Sequence, residues 1–244
     1  MSQFGRLDTG AGGLVQRMTD EEIVSRILYR DALMLVIDKP AGLPVHPGPK
    51  GGETLFGHLD ALRFGLPRRP EAAHRLDRDT SGCLVLGRHA KALARLGKLF
   101  QDGAVDKVYW AVVEGGPAEK EGEITLALAK RSPERGWWMR ADPAGQPALT
   151  CWRVLGRGDR VSLLELRPIT GRTHQLRVHC AESGFPILGD PIYGTAPRAT
   201  GPGLHLHARS ITVPLYPKKP PIGVAAPPPA HMIGQLAALG YASA

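Results

Sequence analysis

Short apolar runs, separated by turns rich in glycine and proline, dominate the pattern along the chain. Residues 33–37 are all apolar, which predicts a strand that is buried on both of its faces. Residues 107–113 alternate, which predicts a strand with two different faces. The same criteria predict further strands over residues 27–29, 124–129, 148–155, 161–166, 204–208 and 210–213.

Apolar residues at helical spacing lie between these predicted strands. Leu93, Leu96 and Leu99 fall on one helical face, for example, and Thr19 and Glu22 are placed as in a helix capping box. The longer predicted helices cover residues 54–62, 91–102, 173–183 and 231–238. Many short strands mixed with a few helices indicate an α+β fold, built on a mixed, largely antiparallel β-sheet flanked by helices and loops.

The glycine-rich start of the chain lacks any such periodicity. We therefore expect a flexible N-terminal arm over residues 1–24, a single main domain over residues 25–230, and a C-terminal helix and tail over residues 231–244. At 244 residues the chain is long enough to bury a sizeable core.

Charge and cysteine content narrow the class of protein. A net charge of +8 favours polyanionic partners, nucleic acid ahead of anionic membrane. The three cysteines, Cys83, Cys151 and Cys180, cannot all pair and are not spaced as CxxC, so we expect reduced thiols in a cytoplasmic protein. No apolar run reaches the length of about 18 residues that a membrane span needs, and we expect no membrane partner.

A polar segment interrupts the apolar pattern at residues 74–82, which read His-Arg-Leu-Asp-Arg-Asp-Thr-Ser-Gly. An isolated aspartate in such a turn most often caps a backbone amide. Here Arg75 and Arg78 flank Asp77, and a turn and an apolar run follow, which favours a carboxylate kept ionised and presented from a tight loop. Such a group acts as a nucleophile or a general base.

A second cluster lies at residues 168–179, which read Pro-Ile-Thr-Gly-Arg-Thr-His-Gln-Leu-Arg-Val-His. His174 and Arg177 share one face of the predicted helix. Because an unpaired buried arginine is costly, Arg177 needs an acidic partner, and we expect that partner to be Asp77. The alternative is a solvent-exposed basic face that binds phosphate without specificity.

The strand over residues 107–113 carries the third cluster. Lys107 and Tyr109 point to the same side of this strand. A tyrosine beside a carboxylate pocket can stack on a base or move a proton, although a strand tyrosine on its own more often packs in a core or an interface.

Metal and nucleotide-cofactor sites are poorly supported. The histidines at 174, 179, 205 and 207 match no HExxH motif and have no acidic third ligand nearby, so we interpret them as core or hydrogen-bonding residues. No P-loop and no GxGxxG segment after a strand is found. We expect neither a metal nor a cofactor.

The three clusters together resemble the RluA family of RNA pseudouridine synthases. The family pattern HRLDxxTSG is complete at residues 74–82, the Lys-x-Tyr element is met at 107–109, and the long Thr-Gly-Arg segment is met at 168–179. Weaker similarities at residues 38–46, 186–194 and 206–208 follow in the family's order. The resemblance covers roughly residues 27–230, nearly the whole chain.

This resemblance implies a cofactor-independent isomerase that flips specific uridines of structured RNA into a pocket, where an aspartate attacks them. It implies that Asp77 is the catalytic aspartate, that Tyr109 packs on the target uracil, and that Arg177 pairs with Asp77. Candidate RNA-binding residues are Arg75, Arg78, Lys107, Arg172 and His174.

Substrate choice is less determined. Fewer than 30 residues precede the first predicted domain strand, too few for the S4 domain of several relatives. The chain thus resembles compact members that modify tRNA, sometimes with a 23S rRNA stem-loop, and a monomer is expected by family habit. Residues 130–140, with Trp137 and Trp138, predict either an RNA-contacting loop or a surface hairpin with partly buried tryptophans.

Two other functions compete with this assignment. A catalytically silent RNA-binding module would not need an aspartate beside phosphates. A nucleoside or glycoside hydrolase would need two carboxylates about 5–9 Å apart. The only close second acid, Asp79, lies two positions further along the turn and need not share the pocket.

Overall fold

The structure is a computed structural model that describes residues 18–48, 51–132, 138–197 and 200–241. Within these ranges the strands are β1 (Ile27–Arg30), β2 (Met34–Lys39), β3 (Glu71–Ala72), β4 (Ser81–Gly87), β5 (Asp106–Glu114), β6 (Glu121–Thr125), β7 (Leu128–Lys130), β8 (Met139–Ala141), β9 (Leu149–Arg157), β10 (Val161–Pro168), β11 (Leu206–Val213) and β12 (Ile222–Ala225). The α-helices are α1 (Asp20–Ser25), α2 (Ala90–Gln101), α3 (Gln175–Glu182) and α4 (Ala230–Ala238).

One large mixed sheet forms the centre of the described structure. Its strands lie in the order β1-β2-β4-β11-β5-β10-β9-β6, with β3 beside β4 and β12 beside β11, while β7 and β8 form a separate hairpin-like pair. Among the described strands only β4 and β11 run parallel. The predicted α+β fold on a largely antiparallel sheet is therefore confirmed.

Strands β2 and β4 are buried on both faces, as predicted for residues 33–37. Leu35 and Leu84 belong to one apolar cluster, while Val36 and Val85 belong to another on the opposite face. The alternation follows from the period of two along a strand. Tyr109 of β5 lies on the same face as Leu35 and Leu84, where it packs between two clusters.

Helices cover both faces of this sheet. On the Tyr109 face lie α1, a 3-10 helix (Leu55–Leu62) and α3, and on the opposite face lie α2 and α4. The capping box predicted at Thr19 and Glu22 is present, and Ile23 of α1 is fully buried. The N-terminal arm predicted over residues 1–24 thus ends in a helix that packs into the core; residues 1–17 lie outside the described residues.

Several predicted elements differ from the structure. The helix predicted over residues 54–62 is a 3-10 helix over Leu55–Leu62. The predicted strand 124–129 is divided between β6 and β7, which belong to different sheets. The predicted strands 204–208 and 210–213 are one strand, β11, with an irregular register between Ala208 and Ser210.

The helix predicted over residues 173–183 begins two residues later, at Gln175. The cause is the backbone of His174, which has a φ of 52° and lies in the left-handed region, so it cannot continue a right-handed helix. This turn also directs the His174 side chain, as described below.

Candidate active site

The three sequence clusters meet at a cavity of about 530 Å³. Its lining includes Asp77 and Arg75 from the first cluster, Lys107 and Tyr109 from β5, and residues 168–177 from the third segment. Asp77 is the only carboxylate among the described residues that line the cavity, and its side chain is 17% exposed. Tertiary folding therefore places a single accessible carboxylate at the centre of the predicted site.

A buried lysine fixes the backbone of the Asp77 loop through hydrogen bonds. Lys39, at the end of β2, is fully buried, and its Nζ donates hydrogen bonds to the carbonyl oxygens of Pro40 (2.7 Å), Leu43 (2.9 Å) and Arg78 (3.0 Å). Burial lowers the pKa of Lys39 to about 7, although the negative charges of neighbouring aspartates, including Asp77, act to raise it. The Arg78 carbonyl also accepts from the Gly42 amide (2.9 Å), so the backbone next to Asp77 is doubly fixed.

The Thr-Ser-Gly turn after Asp77 joins this loop to β11. Ser81 and Gly82 pair in register with His207 and Ala208 in the parallel part of the sheet. Gly82 has a φ of 104°, and a Cβ there would lie within 3.0 Å of three backbone atoms of Ala208. This position therefore requires glycine for both its conformation and its close approach.

His205 and His207 are buried hydrogen-bonding residues, as predicted. Ser81 Oγ lies 2.9 Å from His207 Nδ1, and His207 Nε2 lies 3.2 Å from the Ala226 carbonyl oxygen. His205 Nδ1 lies 2.8 Å from the Gly203 carbonyl oxygen. In the described part of the chain, no three histidine, cysteine, aspartate or glutamate side chains are grouped as a metal site would need.

Tyr109 forms one wall of the cavity. Burial, and then the negative charge of Asp77, raises the pKa of its phenol well above the ordinary value, so the hydroxyl stays protonated at neutral pH. Lys107, on the same side of β5, also lines the cavity, and burial lowers the pKa of its ammonium group. His74 accepts a hydrogen bond from the Val85 amide (3.1 Å) and stacks on Phe100, with ring centroids 4.4 Å apart.

The prediction that Arg177 pairs with Asp77 is wrong. Arg177 Nε lies 2.8 Å from Asp190 Oδ2, and Arg177 Nη2 lies 2.8 Å from Asp190 Oδ1, with both side chains buried. Burial alone would raise the pKa of Asp190, but the hydrogen bonds and charge of Arg177 outweigh it and lower that pKa. The planar guanidinium and carboxylate match in two parallel hydrogen bonds, a geometry that the turn at residues 190–193 makes available and the Asp77 loop does not.

Among the described residues, the ring of His174 rather than an arginine lies within 4 Å of the Asp77 carboxylate. His174 Nε2 lies 3.8 Å from Asp77 Oδ2. On the other side of the ring, His174 Nδ1 lies 2.8 Å from the Tyr193 hydroxyl. Burial lowers the pKa of His174 although the charge of Asp77 opposes this, so the ring is neutral at neutral pH.

Gln175 organises the turn that carries His174. Its Oε1 accepts hydrogen bonds from the Thr170 hydroxyl (2.7 Å) and the Arg172 amide (3.0 Å). Its Nε2 donates to the Leu149 carbonyl oxygen (2.9 Å) and to Thr150 Oγ1 (3.0 Å). Because the side chain is buried and fully hydrogen-bonded, it ties residues 170–174 to β9.

The predicted RNA-binding residues divide into two groups. Arg75, Lys107, Arg172 and His174 line the cavity. Arg78 does not; its guanidinium donates to the Gly42 carbonyl oxygen (3.2 Å) and lies 3.6 Å from Asp79, which is also outside the cavity lining.

The predicted aromatic loop is described only in part. The Trp138 ring is buried, and the Arg131 guanidinium lies 5.8 Å from its centroid. Trp137 lies outside the described residues.

Three residues that matter to this geometry were not singled out from the sequence: Lys39, Asp190 and Tyr193. Asp190 and Tyr193 fall in the segment 186–194, and Lys39 falls in the segment 38–46, both of which are only weakly similar to the family. A lysine at the end of a strand buried on both faces was a usable signal for Lys39, because a fully buried ammonium group must find acceptors.

Known proteins of similar sequence and fold decide the class. A sequence model of the family described as RNA pseudouridylate synthase matches residues 33–182. An uncharacterized RNA pseudouridine synthase of Zymomonas mobilis is 47% identical over 200 residues, which cover 81% of this chain and 91% of that protein. The chain belongs to the RluA family of RNA pseudouridine synthases. It is an isomerase that converts uridine in RNA to pseudouridine.

Other relatives agree with this family assignment. The ribosomal large subunit pseudouridine synthase C of Vibrio parahaemolyticus is 39% identical over 176 residues, which cover 71% of this pseudouridine synthase and 54% of that protein. Human RNA pseudouridylate synthase domain containing 4 superposes with a TM-score of 0.76 at 28% identity, covering 91% of this chain and 95% of that one. Among the described residues, no helix is both long and apolar enough to span a membrane.

Proposed function

We propose that this pseudouridine synthase acts on uridines in a tRNA, a 23S rRNA stem-loop, or both, with Asp77 as its nucleophile. The observation that carries the proposal is the cavity with Asp77 as its single carboxylate among described lining residues. Because a uridine stacked in a stem-loop cannot reach this cavity, it must be flipped out of its helix at a cost of a few kcal/mol.

The chemistry needs no cofactor. Asp77 adds to the flipped nucleoside, either at the sugar carbon C1′ with uracil as the leaving group or at a carbon of the uracil ring. The bond between C1′ and N1 breaks, the uracil rotates inside the cavity, and a bond forms between C1′ and C5. The C5 proton is then lost, N1 gains a proton, and Asp77 is released as a carboxylate.

Tyr109 and Arg177 support this reaction in different ways. The ring of Tyr109 offers a face for stacking on the target uracil, which offsets part of the flipping cost, and its hydroxyl is a neutral donor. Arg177 lines the cavity and contributes a fixed positive charge near Asp77, but its hydrogen bonds are committed to Asp190. We therefore assign Arg177 to shaping the cavity and its electrostatic potential.

The rim of the cavity supports RNA binding. Arg75, Arg172 and Lys107 provide cations at the opening, and the net charge of +8 favours a polyanion. Ile169, whose residue is 56% exposed, presents a large apolar side chain at the same rim, where an unstacked base can contact it. Arg78 is placed to contact flanking RNA outside the cavity. We further propose a monomer that works in the cytoplasm, where unpaired thiols such as Cys83 persist.

Pseudouridine mapping of total tRNA and rRNA tests substrate and nucleophile together. We expect one or more sites to disappear when the protein is removed, and to return with the wild type but not with Asp77→Asn. Asp60→Asn is the matched control, because it makes the same chemical change at an exposed residue that does not line the cavity. Full modification by Asp77→Asn would contradict the role of Asp77.

The products formed from the same target RNA distinguish the isomerase from a hydrolase and from a pure binding module. A hydrolase would release free uracil from the target RNA, whereas the proposed isomerase retains it in the chain. The cavity offers a hydrolase only one carboxylate among its described lining residues, where such enzymes use two. A pure binding module would bind the RNA without changing any uridine.

A further inference from the structure

A chain of polar contacts runs from the backbone of β8 to Asp77. The Met139 amide lies 2.8 Å from the Tyr193 hydroxyl oxygen, and that hydroxyl lies 2.8 Å from His174 Nδ1. The far nitrogen of the same ring, Nε2, lies 3.8 Å from Asp77 Oδ2. None of these three bridging groups was part of the reaction scheme above.

The chemistry of the donors limits the direction of these contacts. A backbone amide can only donate, so the Tyr193 oxygen accepts from Met139. The single hydroxyl proton of Tyr193 remains free to be donated to His174 Nδ1, and this is the direction that the proposal below takes. A neutral imidazole with Nδ1 as an acceptor carries its proton on Nε2, the nitrogen that faces Asp77.

The backbone of His174 is built for this orientation. Only two described residues other than glycine, Phe64 and His174, have a positive φ. Such a conformation costs of the order of 1 kcal/mol or more and persists only where surrounding contacts impose it. The hydrogen bonds of the buried Gln175 side chain to residues 170, 172, 149 and 150 provide that constraint.

We propose that His174 is a positioning residue for Asp77, held by Tyr193 as the neutral tautomer with its proton on Nε2. The inference rests on the proposed role of Asp77 as nucleophile. The distance of 3.8 Å between Nε2 and Asp77 Oδ2 exceeds that of a hydrogen bond, so the neutral ring acts on the carboxylate through its dipole and its position, without a full ion pair that would reduce the nucleophilicity of Asp77. Arg177 makes no contact with Asp77 within ion-pair distance, because its Nε and Nη2 atoms donate to Asp190 instead.

The Met139 end of this series of polar contacts borders a second cleft. Met139 and Lys130, from the β7–β8 pair, line a cleft of about 540 Å³ together with Arg75 and Arg172, which also line the catalytic cavity. No carboxylate is present among the described residues of that cleft. This cleft therefore adjoins the strand whose Met139 amide donates to Tyr193.

Single-turnover kinetics on the target RNA, with a parallel binding assay, tests the proposal. We expect His174→Phe to lower the rate constant by about 10- to 100-fold while RNA affinity changes by less than about threefold, as for a misplaced reacting group. His174→Gln, whose amide can place a donor near the former Nε2, restores most of the rate. Tyr193→Phe lowers the rate by about tenfold.

Matched controls and a spectroscopic readout separate positioning from structure. Tyr216→Phe removes a hydroxyl that is hydrogen-bonded to Asp31 (2.8 Å), in a residue that does not line the catalytic cavity, and should leave the rate unchanged. NMR shifts of the His174 ring nitrogens should show a protonated Nε2 in the wild type and a mixture of tautomers in Tyr193→Phe.

Three results would overturn the proposal: an unchanged rate in His174→Phe, equal losses of rate and RNA affinity, or a wild-type ring protonated on Nδ1. Equal losses would make His174 an RNA contact. If His174→Phe is fully active while Asp77→Asn is inactive, the positioning role fails and the proposed function stands. If Asp77→Asn is also active, the proposed function itself fails.

Discussion

Arg177 and Asp190 form a bidentate ion pair in the core, with two contacts of 2.8 Å between them. Two backbone amides, of Ile192 and Tyr193, also donate to Asp190. The charge of Arg177 is therefore paired with that of Asp190, and no arginine among the described residues lies within ion-pair distance of Asp77.

Replacing Asp190 leaves a buried cation without its charge partner. We expect Asp190→Asn to lower the free energy of unfolding by about 3–5 kcal/mol, measured by urea denaturation. Asp60→Asn makes the same change at an exposed pair with Arg63 and should cost about 0–1 kcal/mol. Equal effects of the two substitutions would mean that the buried pair contributes no more than a surface pair.

The contributions of Arg177 to stability and to turnover can be measured separately. We expect Arg177→Ala to lose most turnover while RNA affinity falls modestly, and also to lose stability because Asp190 is left unpaired. In the double variant Arg177→Met, Asp190→Leu, both charges are replaced by apolar groups, so stability should recover while turnover stays low. If the double variant regains full turnover, the positive charge of Arg177 is not needed. A parallel loss of RNA affinity and turnover would make Arg177 a phosphate contact.

Tyr109→Phe keeps the aromatic ring and removes the hydroxyl. RNA affinity should be retained because stacking is preserved, so any loss of single-turnover rate measures the contribution of the hydroxyl. Because the pKa of Tyr109 is raised by burial and by Asp77, its ionisation should not limit the rate between about pH 6 and 9. A fall in affinity equal to the fall in rate would contradict this separation.

Gly82 is predicted to be the most sensitive glycine of the Asp77 loop. Gly82→Ala combines a φ of 104° with a clash against the backbone of Ala208, so we expect a loss of about 3 kcal/mol in the free energy of unfolding. Gly97→Ala is the matched control, because it lies inside α2 with no atom within 4 Å of the added carbon. That control should stabilise the protein by about 0.5–1 kcal/mol. A neutral Gly82→Ala would refute the steric account.

Buried histidines should make the protein sensitive to acid. Burial lowers the pKa of His207 to about 4, and desolvation of the half-buried His74 lowers its pKa to about 3, whereas both are near 6.5 when exposed. Between these values the unfolded chain binds protons that the folded chain does not, so stability is lost as the pH falls from about 6.5 towards 4. Each histidine adds a slope of up to about 1.4 kcal/mol per pH unit.

Urea denaturation at several pH values measures this slope. His207→Gln should reduce the slope relative to the wild type, whatever its effect on absolute stability. His46→Gln, at an exposed position, should leave the slope unchanged. An unchanged slope in His207→Gln would mean that other groups cause the acid sensitivity.

Elements that depend on local pattern were predicted well from the sequence. The apolar run of β2 and the alternation of β5 express a period of two that the strand geometry requires, and the placement of Lys107 and Tyr109 on one side followed from it. The motif residues at 74–82, 107–109 and 168–179 were sufficient to indicate the family and to predict that Asp77, Tyr109 and Arg177 share one site, and all three line the cavity.

The partners of the charged and polar groups were decided only by the tertiary structure. From the sequence Asp77 was the nearest candidate for Arg177, but the fold brings Asp190 into bidentate contact and leaves His174 beside Asp77. Hydrogen bonds and ion pairs form only when atoms of segments far apart in the chain are positioned to within a few tenths of an ångström. The sequence by itself therefore determined most of the elements and the family, and it predicted the reactive residues; the folded chain determined which side chains hold them.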